Sequence, residues 1–102
     1  MSMDRTLHFD SAREVIELTG RRGEWLPRFE ETFSVRLVQR DTWLKVSGEP
    51  NALERFCHFF DTLRLARDKG VAMREAGLAF ALRAFAENRE DDLTRLYATR
   101  IE

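Results

Sequence analysis

Residues 19–48 read TGRRGEWLPRFEETFSVRLVQRDTWLKVSG and set the order of secondary structure in this chain. They open with a G-x-x-G turn at residues 20–23, which separates two helical patterns. Apolar and polar residues then alternate over Val35 to Gln39 and again over Thr42 to Ser47, as in strands with one buried face. The connection at Arg40-Asp41 is short enough for a hairpin. The pattern predicts a turn, a helix and two paired strands in that order.

A strand and a helix are predicted before the turn. The alternation of Thr6 to Phe9 indicates a short strand. Ser11 is a favourable helix N-cap, and Glu14 three residues later completes a capping-box pattern. Gly20 is a typical residue for the end of such a helix. The face that this helix buries is predicted to comprise Ala12, Val15, Ile16 and Thr19.

The helix after the turn has the residue spacing of a buried stripe. Pro27 lies near its first turn, where the missing N–H costs little. The same periodicity places Glu30 and Glu31 toward water. The stripe comprises Trp25, Leu26, Phe29 and Phe33.

Three more helices are predicted after the hairpin. Pro50 suits the first position of a long helix whose apolar residues fall at i, i+3, i+4, i+7 and i+10. These residues are Leu53, Phe56, Cys57, Phe60 and Leu63. Helical patterns continue over Val71 to Asn88 and over Asp91 to Glu102. Phe59 and Phe80 lie off the main stripes, so we expect them to pack against the C-terminal helices or against a further domain.

Composition limits the class of protein. A chain of 102 residues with 43% hydrophobic content can form one domain around a single core. The 17 basic and 18 acidic residues are mixed along the chain, so any nucleic-acid binding should be local and weak. Cys57 is the single cysteine, which excludes an internal disulfide and argues against a cysteine-based zinc site. Residues 1–10 contain no long apolar run, so we expect no signal peptide, no membrane span and a cytoplasmic location.

The order strand, helix, G-x-x-G, helix, strand, strand, helix resembles a K homology (KH) domain of the type I arrangement. Leu26 and Phe29 stand three and six residues after Gly23, where KH domains carry the apolar residues that anchor the helix behind the loop. This resemblance covers residues 6 to about 66. Residues 33–49, FSVRLVQRDTWLKVSGE, more specifically resemble the N-terminal domain of PhoH-like proteins.

The resemblance implies a two-part protein. Residues 1–66 would form a KH-like domain, and residues 67–102 a helical extension toward a P-loop ATPase domain. The sequence contains no G-x-x-x-x-G-K-[ST] motif, so ATP and Mg²⁺ are expected only in that further domain. We expect this segment to be no enzyme and to hold no cofactor or metal. The expected fold is α+β, with a three-stranded sheet covered by helices and two additional C-terminal helices.

The resemblance also implies single-stranded RNA binding. In KH domains the G-x-x-G loop grips the backbone of the nucleic acid, with N–H groups of the loop and of the following helix near phosphates. In this chain the loop residues are Gly20, Arg21, Arg22 and Gly23. A positive rim along the hairpin would be formed by Arg36, Arg40 and Lys45. An apolar floor beside the loop would be formed by Ile16, Leu26, Val35 and Leu37.

Each of these residues also has a purely structural explanation. The two glycines could end one helix and begin the next, the cations could be solvated, and the apolar residues could belong to the core. Trp25 and Trp43 could stack on bases or pack inside the domain. The alternative function is a docking or oligomerisation module without RNA binding, which positions the ATPase domain or pairs with a second copy. RNA sequence preference and the choice between RNA and DNA are left open by these patterns.

Overall fold

A computed structural model describes residues 2–70 and 75–98 of the chain. The chain folds as two compact units that are divided after Phe56. The elements in chain order are β1 (Met3–His8), α1 (Ala12–Thr19), α2 (Leu26–Phe33), β2 (Arg36–Arg40), β3 (Trp43–Gly48), α3 (Pro50–Asp68), α4 (Glu75–Ala86) and α5 (Glu90–Ala98). Residues 71–74 and 99–102, which the sequence patterns assign to helices, lie outside the described part.

The three strands form one antiparallel sheet in the order β1-β3-β2. Leu7 pairs with Leu44, and Leu37 pairs with Val46. Leu44 and Val46 are fully buried while Lys45 between them is exposed, so the sheet has one covered and one open face. The described residues therefore confirm the predicted α+β class, with a KH-like element order followed by two further helices.

The predicted hairpin is formed by β2 and β3. Arg40 pairs with Trp43, which leaves a two-residue connection of Asp41 and Thr42. Asp41 has a positive φ of 46°, a conformation that aspartate tolerates better than most residues. The turn thus closes without the Asn-Gly pair that marks many tight hairpins.

Helix α1 has the predicted N-cap but a different buried face. The backbone N–H of Glu14 donates to Ser11 Oγ at 3.2 Å, and Glu14 Oε1 accepts from the backbone N–H of Asp10 at 2.7 Å. The buried residues of the helix are Glu14, Val15, Leu18 and Thr19. The prediction was wrong for Ala12 and Ile16, which are exposed, because the helix turns Leu18 into the core instead.

The core of the first unit is aromatic. Phe29 and Phe33 of α2 both meet Phe56, with ring centroids 6.2 and 5.6 Å apart. Trp25, just before α2, is buried and stacks on Phe29 with ring centroids 6.2 Å apart. Of the two explanations for Trp25, this is packing inside the domain. Burial of these large rings stabilises the packing of α2 in this unit.

The second unit has its own aromatic core. Cys57, Phe60 and Leu63 of the predicted α3 stripe are buried in this unit together with Phe59, and the other two stripe residues, Leu53 and Phe56, belong to the first unit and are also buried. The Phe59 ring contacts those of Phe60 and Phe85, with centroids 6.0 and 5.2 Å apart. Phe59 is thus a core residue, whereas Phe80 on α4 is 57% exposed. None of the helices in the described ranges combines the length and apolar character needed to cross a membrane.

Candidate nucleic-acid interface

The G-x-x-G loop joins α1 to α2 through two glycines with positive φ. Gly20 caps α1 with φ 93° and ψ 163°, and its N–H donates to Ile16 O at 2.9 Å. Gly23 has φ 64°, and its N–H donates to Gly20 O at 3.3 Å. Residues with a Cβ adopt the Gly20 conformation only under strain. The turn geometry therefore explains both glycines before any ligand is considered.

The two loop arginines are the accessible charges of this turn. Arg21 and Arg22 are both exposed. Among the residues that the structure describes, neither guanidinium has an ion-pair or hydrogen-bond partner. Two unpaired cations at the tip of a tight turn are available to a phosphate without first breaking an internal contact.

Glu24 lies over the loop and reduces its positive charge. A Cβ built on Gly20 would be 2.6 Å from Glu24 Cγ and 3.2 Å from its Oε1. The carboxylate therefore sits directly beside the first glycine. Sequence patterns did not indicate this contact, because it depends on how the chain turns between Gly23 and α2.

Among the described residues, few of the backbone N–H groups that were expected to contact a phosphate are without an internal hydrogen bond. Helix α2 begins at Leu26 rather than directly after the second glycine. The Trp25 N–H donates to Thr19 O at 3.2 Å, the Leu26 N–H donates to Gly23 O at 3.0 Å, and Pro27 has no N–H. The remaining donors of the turn are the N–H groups of residues 21, 22 and 24, which form no hydrogen bond within the described part of the chain.

The predicted apolar floor is only half accessible. Ile16, one turn before the loop, is 46% exposed, and Leu26 is half-buried. A Cβ on Gly23 would lie 3.0 Å from Leu26 Cδ1, so that leucine closes against the loop. Val35 and Leu37 are buried and belong to the core. Of the four predicted floor residues, Ile16 and Leu26 are thus the ones that offer an apolar contact to a base.

Glu30 occupies the free edge of β2 beside this region. The backbone N–H of Leu37 donates to Glu30 Oε2 at 2.9 Å, and the N–H of Val35 donates to Glu30 O at 3.2 Å. The prediction that Glu30 faces water was therefore wrong. The residue satisfies two N–H groups that β3 does not reach, and helical periodicity carries no signal for such a contact.

The structure separates the hairpin cations from the loop. A Cβ on Gly23 would lie 3.7 Å from Gln39 Oε1, and the side chain of Gln39 is on the same face of β2 as buried Leu37. Arg36, Arg40 and Lys45 alternate with the buried residues and lie on the open face. The three predicted rim residues therefore lie together on one face of the sheet, and Gly23 of the loop adjoins the other face.

Within the described residues, the side chains of Cys57 and His58 do not combine into a reactive site. Cys57 is buried, whereas His58 is exposed with its ring edge-on to Phe85 at 5.3 Å. In residues 2–70 and 75–98 there is no cluster of three or more histidine, cysteine, aspartate or glutamate side chains arranged to hold a metal ion.

Comparison of the chain with protein-family models, with curated proteins and with solved structures finds no match.

Proposed function

We propose that this domain binds single-stranded RNA weakly through the loop formed by Gly20, Arg21, Arg22 and Gly23. The observation that carries the proposal is the pair of exposed arginines, which have no partner among the described residues and are held at the tip of a turn whose glycines both have positive φ. The N–H groups of residues 21, 22 and 24 would add donors to the same phosphate. Exposed Ile16 and half-buried Leu26 offer a base a small apolar surface next to it.

The proposal includes the larger protein that the PhoH-like resemblance implies. This segment would act in the cytoplasm as the targeting domain of a P-loop ATPase, and ATP hydrolysis with Mg²⁺ would take place in the other domain. Because the loop supplies only two strong phosphate contacts and one opposing carboxylate, Glu24, we expect a dissociation constant on the order of 10⁻⁴ M for this contact at physiological salt.

The test is a fluorescence anisotropy titration of a labelled single-stranded RNA with the wild-type domain and with Arg21→Asp combined with Arg22→Asp. The loop should contribute about −1.4 to the logarithmic salt slope of wild-type binding, which corresponds to two phosphate contacts on a single strand. The loop variant should bind more weakly, with its salt slope reduced by about that amount, while circular dichroism shows an unchanged fold. The control, Arg83→Asp with Arg95→Asp, changes the net charge equally on exposed positions of α4 and α5, and circular dichroism checks its fold as well because Arg95 loses an ion pair with Asp92 at 3.4 Å.

Two results would overturn the loop contact. One is a loop variant that binds as well as wild type, and the other is a control variant that loses as much affinity as the loop variant. A wild-type domain that does not bind near 1 mM favours the second candidate function, a docking or oligomerisation module. That candidate is supported by exposed Phe80 on α4, which lies at the rim of a pocket that Ala84 and Leu93 also line.

A further inference from the structure

The open face of the sheet carries a regular array of side chains that the loop does not use. The register of the three strands places its residues in three rows, each crossing β1, β3 and β2. The rows are Asp4, Ser47 and Arg36; Thr6, Lys45 and Val38; and His8, Trp43 and Arg40. Successive rows lie about 6.8 Å apart along the strands, because two residues separate them.

Each row contains one strong cation. Arg36, Lys45 and Arg40 are all exposed, and they follow one another from one end of the sheet to the other. Asp4 is the single acidic residue of the array, and its carboxylate lies 3.5 Å from Lys45 Nζ. The face is therefore positive although the whole chain has a net charge of −1. An exposed ion pair of this kind contributes little stability, so a phosphate can displace Asp4.

Aromatic and apolar surface accompanies the cations. Trp43 is half-buried at the hairpin end of β3, directly between His8 and Arg40 in its row. Val38 in the next row is 38% exposed. An indole beside a guanidinium offers a base a flat surface next to a phosphate-binding group.

A polar cleft lies at the other end of the array. It is lined by Ser2, Ser34, Val35, Arg36, Ser47 and Gly48. The three hydroxyl groups and one guanidinium can donate hydrogen bonds, so this open cleft suits a phosphate better than it suits an apolar side chain.

We infer that the open face of the sheet is a second binding surface for single-stranded nucleic acid, independent of the loop. The nucleic-acid strand would run across the three rows, with phosphates at Arg40, Lys45 and Arg36 and a base stacked on Trp43. One cation per row, repeated about every 6.8 Å, suits the regularly spaced phosphates of an extended nucleic-acid backbone. An acidic protein segment has irregularly spaced charges and would not require such a regular array. The inference shares its ligand class with the proposed function but none of its residues, so the two can fail separately.

The first test compares binding of a labelled single-stranded RNA by wild type and by Arg40→Gln with Lys45→Gln. The face variant should bind more weakly, and its salt slope should be smaller by about 1.4 because two phosphate contacts are lost. Arg83→Gln with Arg95→Gln removes the same charge elsewhere and should bind like wild type. Asp4→Asn should bind roughly two- to fivefold more tightly, because Lys45 is released from its partner.

The second test uses the indole itself. Trp25→Phe leaves Trp43 as the single tryptophan, and RNA should quench its fluorescence with the same midpoint as the anisotropy titration. Trp43→Ala should weaken binding roughly 5- to 100-fold through the loss of one stacked base. Circular dichroism of each variant establishes that it is folded.

The outcomes separate the two surfaces. Weaker binding by the face variant with no effect of Arg21→Asp and Arg22→Asp supports the sheet face and overturns the loop contact. Unchanged binding by the face variant and by Asp4→Asn overturns the sheet face, whether or not the loop variant loses affinity. No quenching of Trp43 in a complex that anisotropy detects also overturns it, and no RNA binding by wild type overturns both surfaces.

Discussion

Gly20 is the residue at which the backbone of the loop is most constrained. Its φ of 93° and ψ of 163° lie in a region that only glycine occupies readily. A methyl group there would also press on the Glu24 side chain, 2.6 Å from its Cγ. The residue is therefore required by the turn itself, whatever the loop binds.

Replacing Gly20 by alanine should reduce the free energy of unfolding by about 1–3 kcal/mol. The backbone strain and the contact with Glu24 both oppose the substitution. Urea denaturation of the variant measures the loss. Adding Glu24→Ala should recover only the part caused by the contact, since the strain at φ 93° remains.

Gly70→Ala is the matched control for that substitution. Gly70 also has a positive φ, 84°, but among the described residues no atom lies within 4 Å of a Cβ built there. Gly20→Ala should be at least as destabilising as Gly70→Ala. A smaller effect at Gly20 would contradict the assignment of strain to the loop.

The sequence predicts the place of the loop better than its chemistry. Two glycines between helical patterns locate the turn, because glycine ends helices and permits positive φ. The position of Glu24 over Gly20, and the use of the Trp25 and Leu26 N–H groups inside the turn, depend on where α2 begins. That boundary cannot be obtained from residue spacing alone.

At the scale of elements, Glu30 connects α2 to β2. Its carboxylate accepts a hydrogen bond from the Leu37 N–H at 2.9 Å, at an edge of the sheet that no strand in the described part of the chain covers. A charged acceptor makes this a stronger bond than one between neutral groups. The contact also blocks an edge at which another strand could otherwise pair.

Glu30→Ala should lower the free energy of unfolding by about 1.5–3 kcal/mol, because the Leu37 N–H loses a charged acceptor. Glu30→Gln keeps an oxygen at the same place and should cause a smaller loss. Hydrogen exchange measured by NMR should show faster exchange of the Leu37 amide in Glu30→Ala.

The neighbouring Glu31→Ala serves as the control for Glu30. Glu31 is exposed, so its removal should change stability by no more than about 0.5 kcal/mol. An equal rate of Leu37 amide exchange in Glu30→Ala, Glu31→Ala and wild type would show that the hydrogen bond contributes nothing.

Long elements are predicted more reliably than short ones in this chain. Helix α3 has five apolar residues over three turns, and all five are buried as predicted. Helix α1 has only eight residues, so its apolar positions fit two neighbouring faces, and the structure buries Leu18 instead of Ile16. A residue such as Glu30, whose partner lies seven residues away on a strand, has no periodic signal at all.

At the scale of the whole molecule, charge is arranged locally on a nearly neutral chain. The net charge is −1, yet Arg21 and Arg22 project from the loop while Arg36, Arg40 and Lys45 share the open sheet face. The hairpin pattern predicts which of these residues are exposed. It does not predict that Arg36, Arg40 and Lys45 lie on the side of the sheet opposite the loop, because that depends on where the helices pack.

An NMR titration of the ¹⁵N-labelled domain with a short single-stranded RNA examines the loop contact residue by residue. The amide signals of Arg21, Arg22 and Gly23 should shift progressively, and the loop variant should show no such shifts. The exposed residues of α5, which serve as an internal reference, should stay unchanged. An absence of shifts in the loop up to about 1 mM RNA, or shifts confined to other elements, would contradict RNA binding by the loop.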